Sequence, residues 1–217
     1  MRLLTVPGVF RPRSDAWLLA GLLPSWLPPG AAALDLFTGS GVLAVAAART
    51  GAARVTAVDL SRRAVACARA NARLNGVEMR VLRGDLFAPV AYESFDAILA
   101  NPPYLPDQHG ALPAYGAGRA WEGGRDGRAL LDRLCAEAPA HLRPAGTLLV
   151  VQSSLAGTDA TLARLGAAGM SAEVVARRRG PLGPLAAERA PMLEARGLLR
   201  PREREEELVV VSARREG

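Results

Sequence analysis

Lysine is absent from the 217 residues, so all 27 basic side chains are arginine. Alanine and glycine are abundant, and together these biases explain the net charge of +6 as readily as selection for a polyanion does. Arginine-rich surfaces attract phosphates, which keeps nucleic acid open as an alternative partner. The arginines are scattered, however, with only Arg177-Arg178-Arg179 as a tight run, and that does not describe a dedicated groove. Cysteine is nearly as scarce. Cys67 and Cys135 lack any metal-ligand spacing, which excludes a disulfide scaffold and suits buried thiols in a reducing cytoplasm. The two histidines, His109 and His141, stand apart from each other and from cysteine, so no metal is assigned. No apolar run approaches the ~18 residues of a membrane span. Pro7, Arg11, Pro12, Arg13 and Asp15 interrupt the opening stretch, against an export signal.

What is present suits a folded domain: half the residues are hydrophobic and 22% are charged. Runs of Val, Leu and Ala alternate with longer helical stretches, the pattern of a parallel sheet covered by helices. Strands are expected near 32–37, 54–59, 79–83, 95–100, 146–152, 172–177 and 208–213. Helices are expected near 15–23, 41–50, 61–75, 127–138 and 158–168, with Ser61 and Asp126 as N-cap types and Gly76 as a stop. One domain over 1–217 is expected: an entry segment and helix to residue 30, a core over 31–177, a Pro- and Arg-rich excursion over 178–206, and a last strand and tail over 207–217. Two stretches break the alternation, a loop from Asn101 to about Arg125 and the excursion between the last two strands. A loop of that length in a compact domain usually covers a site.

Three acids follow three successive strands. Asp35-Leu36-Phe37-Thr38-Gly39-Ser40-Gly41 closes the first strand and opens a helix, and its glycines permit a tight turn. Asp59 ends the second strand at about the ~20-residue spacing that reaches a ribose. Asp85-Leu86 follows the third. A dinucleotide is the weaker reading, because the third glycine of G-x-G-x-x-G is missing and a pyrophosphate would be repelled. S-adenosylmethionine carries a sulfonium and an ammonium, and carboxylates favour both. Asp35, Gly39, Gly41, Asp59 and Asp85 are the candidate cofactor residues on these grounds, with S-adenosylhomocysteine as product.

Asn101-Pro102-Pro103-Tyr104 follows the fourth strand. Prolines cannot donate, so the carbonyl at Pro102 is free to accept, and the Asn101 side-chain oxygen is a second acceptor. Two acceptors converging on one point make a socket for an –NH2 group, and Tyr104 offers a flat face to a planar amide or base. A delocalised nitrogen is a poor nucleophile, and fixing both N–H groups aims it at a methyl carbon. Asn101, Pro102 and Tyr104 are the candidate catalytic residues, with Pro103 and Tyr104 touching substrate. A plain Pro-Pro turn is the bland alternative.

In this order, the motifs resemble the class I methyltransferases, and most closely the release-factor glutamine N5-methyltransferase (HemK-like) group. Val9-Phe10-Arg11-Pro12-Arg13-Ser14-Asp15 is similar to that group's entry segment, and Ala120-Trp121-Glu122-Gly123-Gly124-Arg125-Asp126-Gly127 to its Gly-rich segment. The likeness runs from about Val9 to Gln152. It implies a Rossmann-like α/β fold, with a mostly parallel seven-stranded sheet and an antiparallel last strand. It also implies Asp35 and the glycine turn on the methionine end, Asp59 on the ribose, Asp85 and Leu86 on the adenine, and a release-factor glutamine as acceptor. The resemblance adds Phe37, Leu86 and Asn101 to the candidate cofactor residues. Phe37 stands where the group has its first glycine, and Ala16 where a hydroxyl residue is common. The chain has little ahead of its first motif, like the short members that work with a small zinc-binding activator subunit. The rival readings are an adenine N6 or other base amine, a small-molecule amine, and a cofactor-binding protein without catalysis. Trp121 is read as loop packing, and Arg119 and Arg125 as partner contacts or solvated side chains.

Overall fold

A computed structural model describes residues 1–9, 11–108, 110, 112 and 117–215, with Ala117 and Arg119 described by their backbone alone. Phe10, His109 and the Arg119 side chain therefore lie outside the described residues. The strands are β1 Ala32–Leu36, β2 Arg54–Asp59, β3 Arg80–Arg83, β4 Phe95–Ala100, β5 Leu142–Ser153, β6 Met170–Pro181 and β7 Glu205–Arg215. They form one seven-stranded sheet in the order β3-β2-β1-β4-β5-β7-β6. Pairs from β3 to β5 are parallel, and β7 is antiparallel to both β5 and β6, as the sequence implied. The helices are α1 Ser14–Trp26, α2 Val42–Thr50, α3 Arg62–Leu74, α4 Ala129–His141 and α5 Thr158–Ala167, with α6 Pro184–Glu188 and α7 Ala190–Ala195 inside the excursion.

Strand alternation sorts the apolar residues into two cores. Leu34 and Leu36 of β1, Ile98 of β4 and Leu148 and Val150 of β5 face one side, with Leu131, Leu134 and Cys135 of α4. Ala33, Val55, Ala57, Ala97 and Leu99 face the other, under Leu19 and Leu23 of α1 and Leu43 and Ala47 of α2. A fully buried leucine contributes roughly 1.5–3 kcal/mol relative to an exposed one, so these two faces hold the sheet. A third, smaller core joins Leu105 to Leu182, Ala186, Leu193 and Leu199, away from both faces.

The strands near the sequence motifs fall where expected, and β2 and β4 match residue for residue. The later ones do not. β5 starts four residues early, β6 runs to Pro181, and β7 begins at Glu205, so the excursion shrinks from both ends. Cross-strand pairs Arg177–Glu207 at 2.5 Å and Arg179–Glu205 at 2.6 Å carry the β6–β7 ladder past the apolar core. Charged residues there read as loop only because both partners of each pair are polar. Ser61 caps α3 through its hydroxyl, which accepts from Ala64 N–H, and Gly76 takes a left-handed φ of 62° behind it. Asp126 does not cap α4; the N-cap is Arg128, whose N–H donates to Asp126 Oδ1 at 3.0 Å in the turn ahead of the helix.

Candidate active site

β1 is flanked by β2 on one side and β4 on the other, so the loops leaving β1 and β4 diverge and open a crevice at their carboxyl ends. A cavity of about 1180 Å³ lies there, bordered by the loops after β1, β2, β3 and β4, by the entry segment, and by the excursion.

At one end of the cavity, strained backbone sets the wall. Phe37 and Leu86 both border it, and both have positive φ, 58° and 46°. A left-handed residue with a side chain costs roughly 1–2 kcal/mol, which packing must offset. The Phe37 ring packs against the core on the α4 side, which is how the turn accommodates it. Gly39 borders the cavity and donates its N–H to Asp59 Oδ2 at 2.9 Å, while Ser61 N–H donates to Asp59 Oδ1 at 2.8 Å. Asp59 thereby ties the first turn to the second. Gly41 does not reach the cavity. With φ 83°, it lets α2 start against α3, where an added Cβ would sit 3.1 Å from Ala68 Cα.

Asp35 also lies one layer below the wall. Its Oδ2 accepts the Thr38 hydroxyl at 2.5 Å and Ala44 N–H at 3.0 Å, bracing the turn and the first turn of α2. Its Oδ1 and the Ser40 hydroxyl, both buried, have no hydrogen-bond partner among the described residues. Burial pushes its pKa up to about 7, with Asp59 repulsion adding to it and the Thr38 and Ala44 bonds opposing. A low-dielectric acid beneath the turn, with Asp59 beside it, fits a ligand bearing positive charge. Asp35 thus sits behind the turn and does not border the cavity. Asp85 lies at the rim, where Arg133 holds its two oxygens at 3.3 and 3.0 Å. To read an adenine amino group, Asp85 must share an oxygen with that arginine, and Leu86 backbone is the unencumbered neighbour.

At the other end stands Asn101-Pro102-Pro103-Tyr104, all four bordering the cavity. Its organiser is Asp15, in the first turn of α1 and 5% exposed. Asp15 Oδ2 accepts from Asn101 Nδ2 at 3.2 Å and from the Tyr104 hydroxyl at 2.9 Å, while Oδ1 accepts Ala16 N–H at 2.7 Å. A carboxylate only accepts, so the Asn101 amide must present its NH2 to Asp15. Its oxygen is left for a ligand's N–H. Burial, and then the Asp15 charge, hold the Tyr104 phenol well above its ordinary pKa, so Tyr104 is a neutral donor there and not a base. Gly123 and Gly127 of the Gly-rich segment lie against this motif; a Cβ on Gly127 would run into the Tyr104 carbonyl.

The structure therefore gathers Phe37, Gly39, Asp59, Asp85, Leu86, Asn101, Pro102, Pro103 and Tyr104 around one cavity, and sets Asp35 and Gly41 behind it. The sequence reading named Asp15 only within the entry segment and gave it no role. The signal was there, an acid placed at the start of an apolar helix, whereas its partner Asn101 stands 86 residues on. Trp121 both packs beside the third core and borders the cavity. His141 ends α4, where Phe87 stacks on it at 4.3 Å. Cys67 and Cys135 are buried free thiols, and burial raises the pKa of each. Among the described residues no cluster of His, Cys, Asp and Glu suits a metal ion, and no helix is long and apolar enough to cross a membrane.

The chain is similar to known methyltransferases. The sequence family described as methyltransferase small domain matches residues 1–114. A protein of Methanocaldococcus jannaschii described as a putative protein N5-glutamine methyltransferase is 36% identical over 179 residues, 82% of this chain and 89% of that one. The release factor glutamine methyltransferase of Gloeobacter violaceus is 36% identical over 169 residues, 73% of this chain but only 58% of that one. Among solved structures, the E. cuniculi Mtq2-Trm112 complex, described as responsible for methylation of the eRF1 translation termination factor, aligns with a TM-score of 0.67. The match is 21% identical and covers 96% of this chain and 99% of that one, a likeness of fold.

Proposed function

This chain belongs to the methyltransferase small domain family, and from that premise we propose that it methylates a glutamine side-chain amide of a peptide-chain release factor. S-adenosylmethionine, when bound, supplies an electrophilic methyl carbon on a sulfonium. The residues present fit it: a left-handed turn at Phe37 and Gly39, Asp59 for the ribose hydroxyls, Leu86 and Asp85 for the adenine, and the buried Asp35 carboxylate for positive charge. Asn101 Oδ1 and the Pro102 carbonyl accept the two N–H groups of the glutamine amide. Most of the acceleration then comes from holding the nitrogen in line, where effective molarities reach ~10⁵ M or more. No strong base is required ahead of transfer, because the nitrogen turns acidic only as its new bond forms. The observation that carries this reading is the double contact on Asp15 Oδ2, which fixes the Asn101 oxygen as the open acceptor.

The relatives' names, N5-glutamine and release factor glutamine methyltransferase, support the acceptor. By analogy with the Mtq2-Trm112 complex, the proposal includes a small partner subunit, and buried free thiols suit the cytoplasm. Incubation with labelled S-adenosylmethionine and separate pools of protein, tRNA, rRNA and DNA tests the assignment. The expected result is a mass shift of one methyl on a release-factor glutamine. Label confined to nucleic acid would transfer the proposal to a base amine, and label passing a small-molecule filter would transfer it to a metabolite.

A further inference from the structure

Two arginines bracket α7 in the excursion, and both reach across to the loop that follows Tyr104. Arg196 Nη1 donates to the Asp107 carbonyl at 2.8 Å and the Arg125 carbonyl at 2.9 Å, while Nη2 donates to the Gln108 carbonyl at 3.0 Å. One guanidinium thus joins the outgoing and returning ends of the same loop. Arg189 Nη1 donates to the Pro106 carbonyl at 2.9 Å and Nη2 to Glu122 Oε1 at 3.0 Å. It is mostly buried, with 19% of its side chain exposed against 18% for Glu122. Backbone bonds Leu105 N–H to Trp121 O at 2.8 Å and Asp107 N–H to Gly124 O at 2.8 Å close the same neck. The apolar cluster of Leu105, Leu193 and Leu199 lies beside it.

We propose that Arg189 and Arg196 are positioning residues for the acceptor, a clasp by which the excursion sets the loop wall beside Asn101. The inference rests on the methyl-transfer reading of this cavity. Both arginines act on carbonyls, and a planar fork with five donors in fixed directions reaches carbonyls on separate segments at once. Pro106 lies five positions past Asn101, and Pro102, Pro103 and Pro106 leave the intervening segment little φ freedom. A shift at the neck is therefore passed to Tyr104 and Leu105 without being absorbed between them. The excursion also borders the cavity directly through Leu182, Pro184 and Leu185, as does Trp121, which packs on the same apolar cluster. The acceptor wall is thus built from two segments more than 80 residues apart, joined by side chains.

The test compares Arg189→Gln, Arg196→Gln and Arg196→Lys with Arg204→Gln, whose parent bonds Glu194 and the Glu203 carbonyl inside the excursion. Release-factor methylation is measured as kcat and KM, S-adenosylhomocysteine affinity by calorimetry, and hydrogen exchange over residues 105–108 and 121–127. The glutamine variants are expected to raise exchange at the neck and acceptor KM about tenfold, the scale of a small misplacement. Product affinity should stay unchanged, Arg196→Lys should recover part of the loss, and Arg204→Gln should do none of this. Faster exchange with an unchanged KM would overturn the positioning role, as would equal effects from Arg204→Gln. Should the wild type transfer no methyl to a release factor, the acceptor assignment fails on its own. The exchange arm then still judges the clasp: neck protection that survives Arg196→Gln overturns it.

Discussion

The cofactor end of the cavity takes its shape from turns that directly follow β1, β2 and β3, and the bonds that brace the first two turns are short-range, as from Gly39 to Asp59, 20 residues apart. Arg133 reaches Asp85 at the rim from 48 residues on. The acceptor end is assembled from afar. Asn101 and Tyr104 are oriented by Asp15, 86 and 89 residues earlier, and the loop beyond them is gripped by Arg189 and Arg196. One end is local and tolerates change elsewhere in the chain; the other depends on remote partners. The contrast teaches that cofactor binding and acceptor handling are separable in this molecule.

Four variants try that separation, the most damaging first. Asn101→Ala is expected to lower kcat on the order of 10²–10³-fold, the loss seen when one aligned hydrogen-bonding group is removed from a reacting centre. Calorimetry should show product affinity nearly unchanged, and equal turnover would reduce the loop to a turn. Asp15→Asn comes next. An amide no longer forces the Asn101 orientation, and kcat should fall about 10- to 100-fold, in line with the 1.5–3 kcal/mol of a charged hydrogen bond. Loss of cofactor binding in that variant would break the division between the two ends.

Asp59→Ala probes the opposite side. It should weaken S-adenosylhomocysteine by roughly 1.5–3 kcal/mol while leaving acceptor KM alone. The mildest effect concerns Asp35. Its pKa is raised from 3.8 to about 7, so the folded state holds that proton more tightly than the unfolded chain does. Stability contributed by the protonated form is complete below 3.8 and is lost as pH rises through about 7. A cationic ligand favours the ionised form, so S-adenosylmethionine affinity should rise a few-fold between pH 6 and 8, at most about tenfold. Asp35→Asn should flatten both profiles, and a wild-type affinity indifferent to pH would detach Asp35 from the cofactor.

The same contrast explains what the sequence disclosed. Glycines, strand-end acids and the Asn-Pro-Pro-Tyr run carry their meaning within a few residues, and each of the three strand-loop junctions is where periodicity puts it. Asp35 lies deeper than its spacing to a glycine conveys, because alternation places it on the same face as Ala33 and so beneath α2. Arg189 and Arg196 could not be singled out, since an arginine in a proline-rich stretch is solvated by default. The extended ends of β6 and β7 are hidden because Arg179 and Glu205 find each other only across strands.

The two bonds on Asp15 Oδ2 also bear on how the molecule can be cut and rebuilt. A tag or foreign domain ahead of Ser14 leaves the acceptor socket its anchor. A graft that starts at Ala16 removes the anchor while sparing every strand, and its product should transfer methyl no better than Asp15→Asn does. For anyone transplanting this catalytic unit, the first turn of α1 travels with the active loop or transfer suffers.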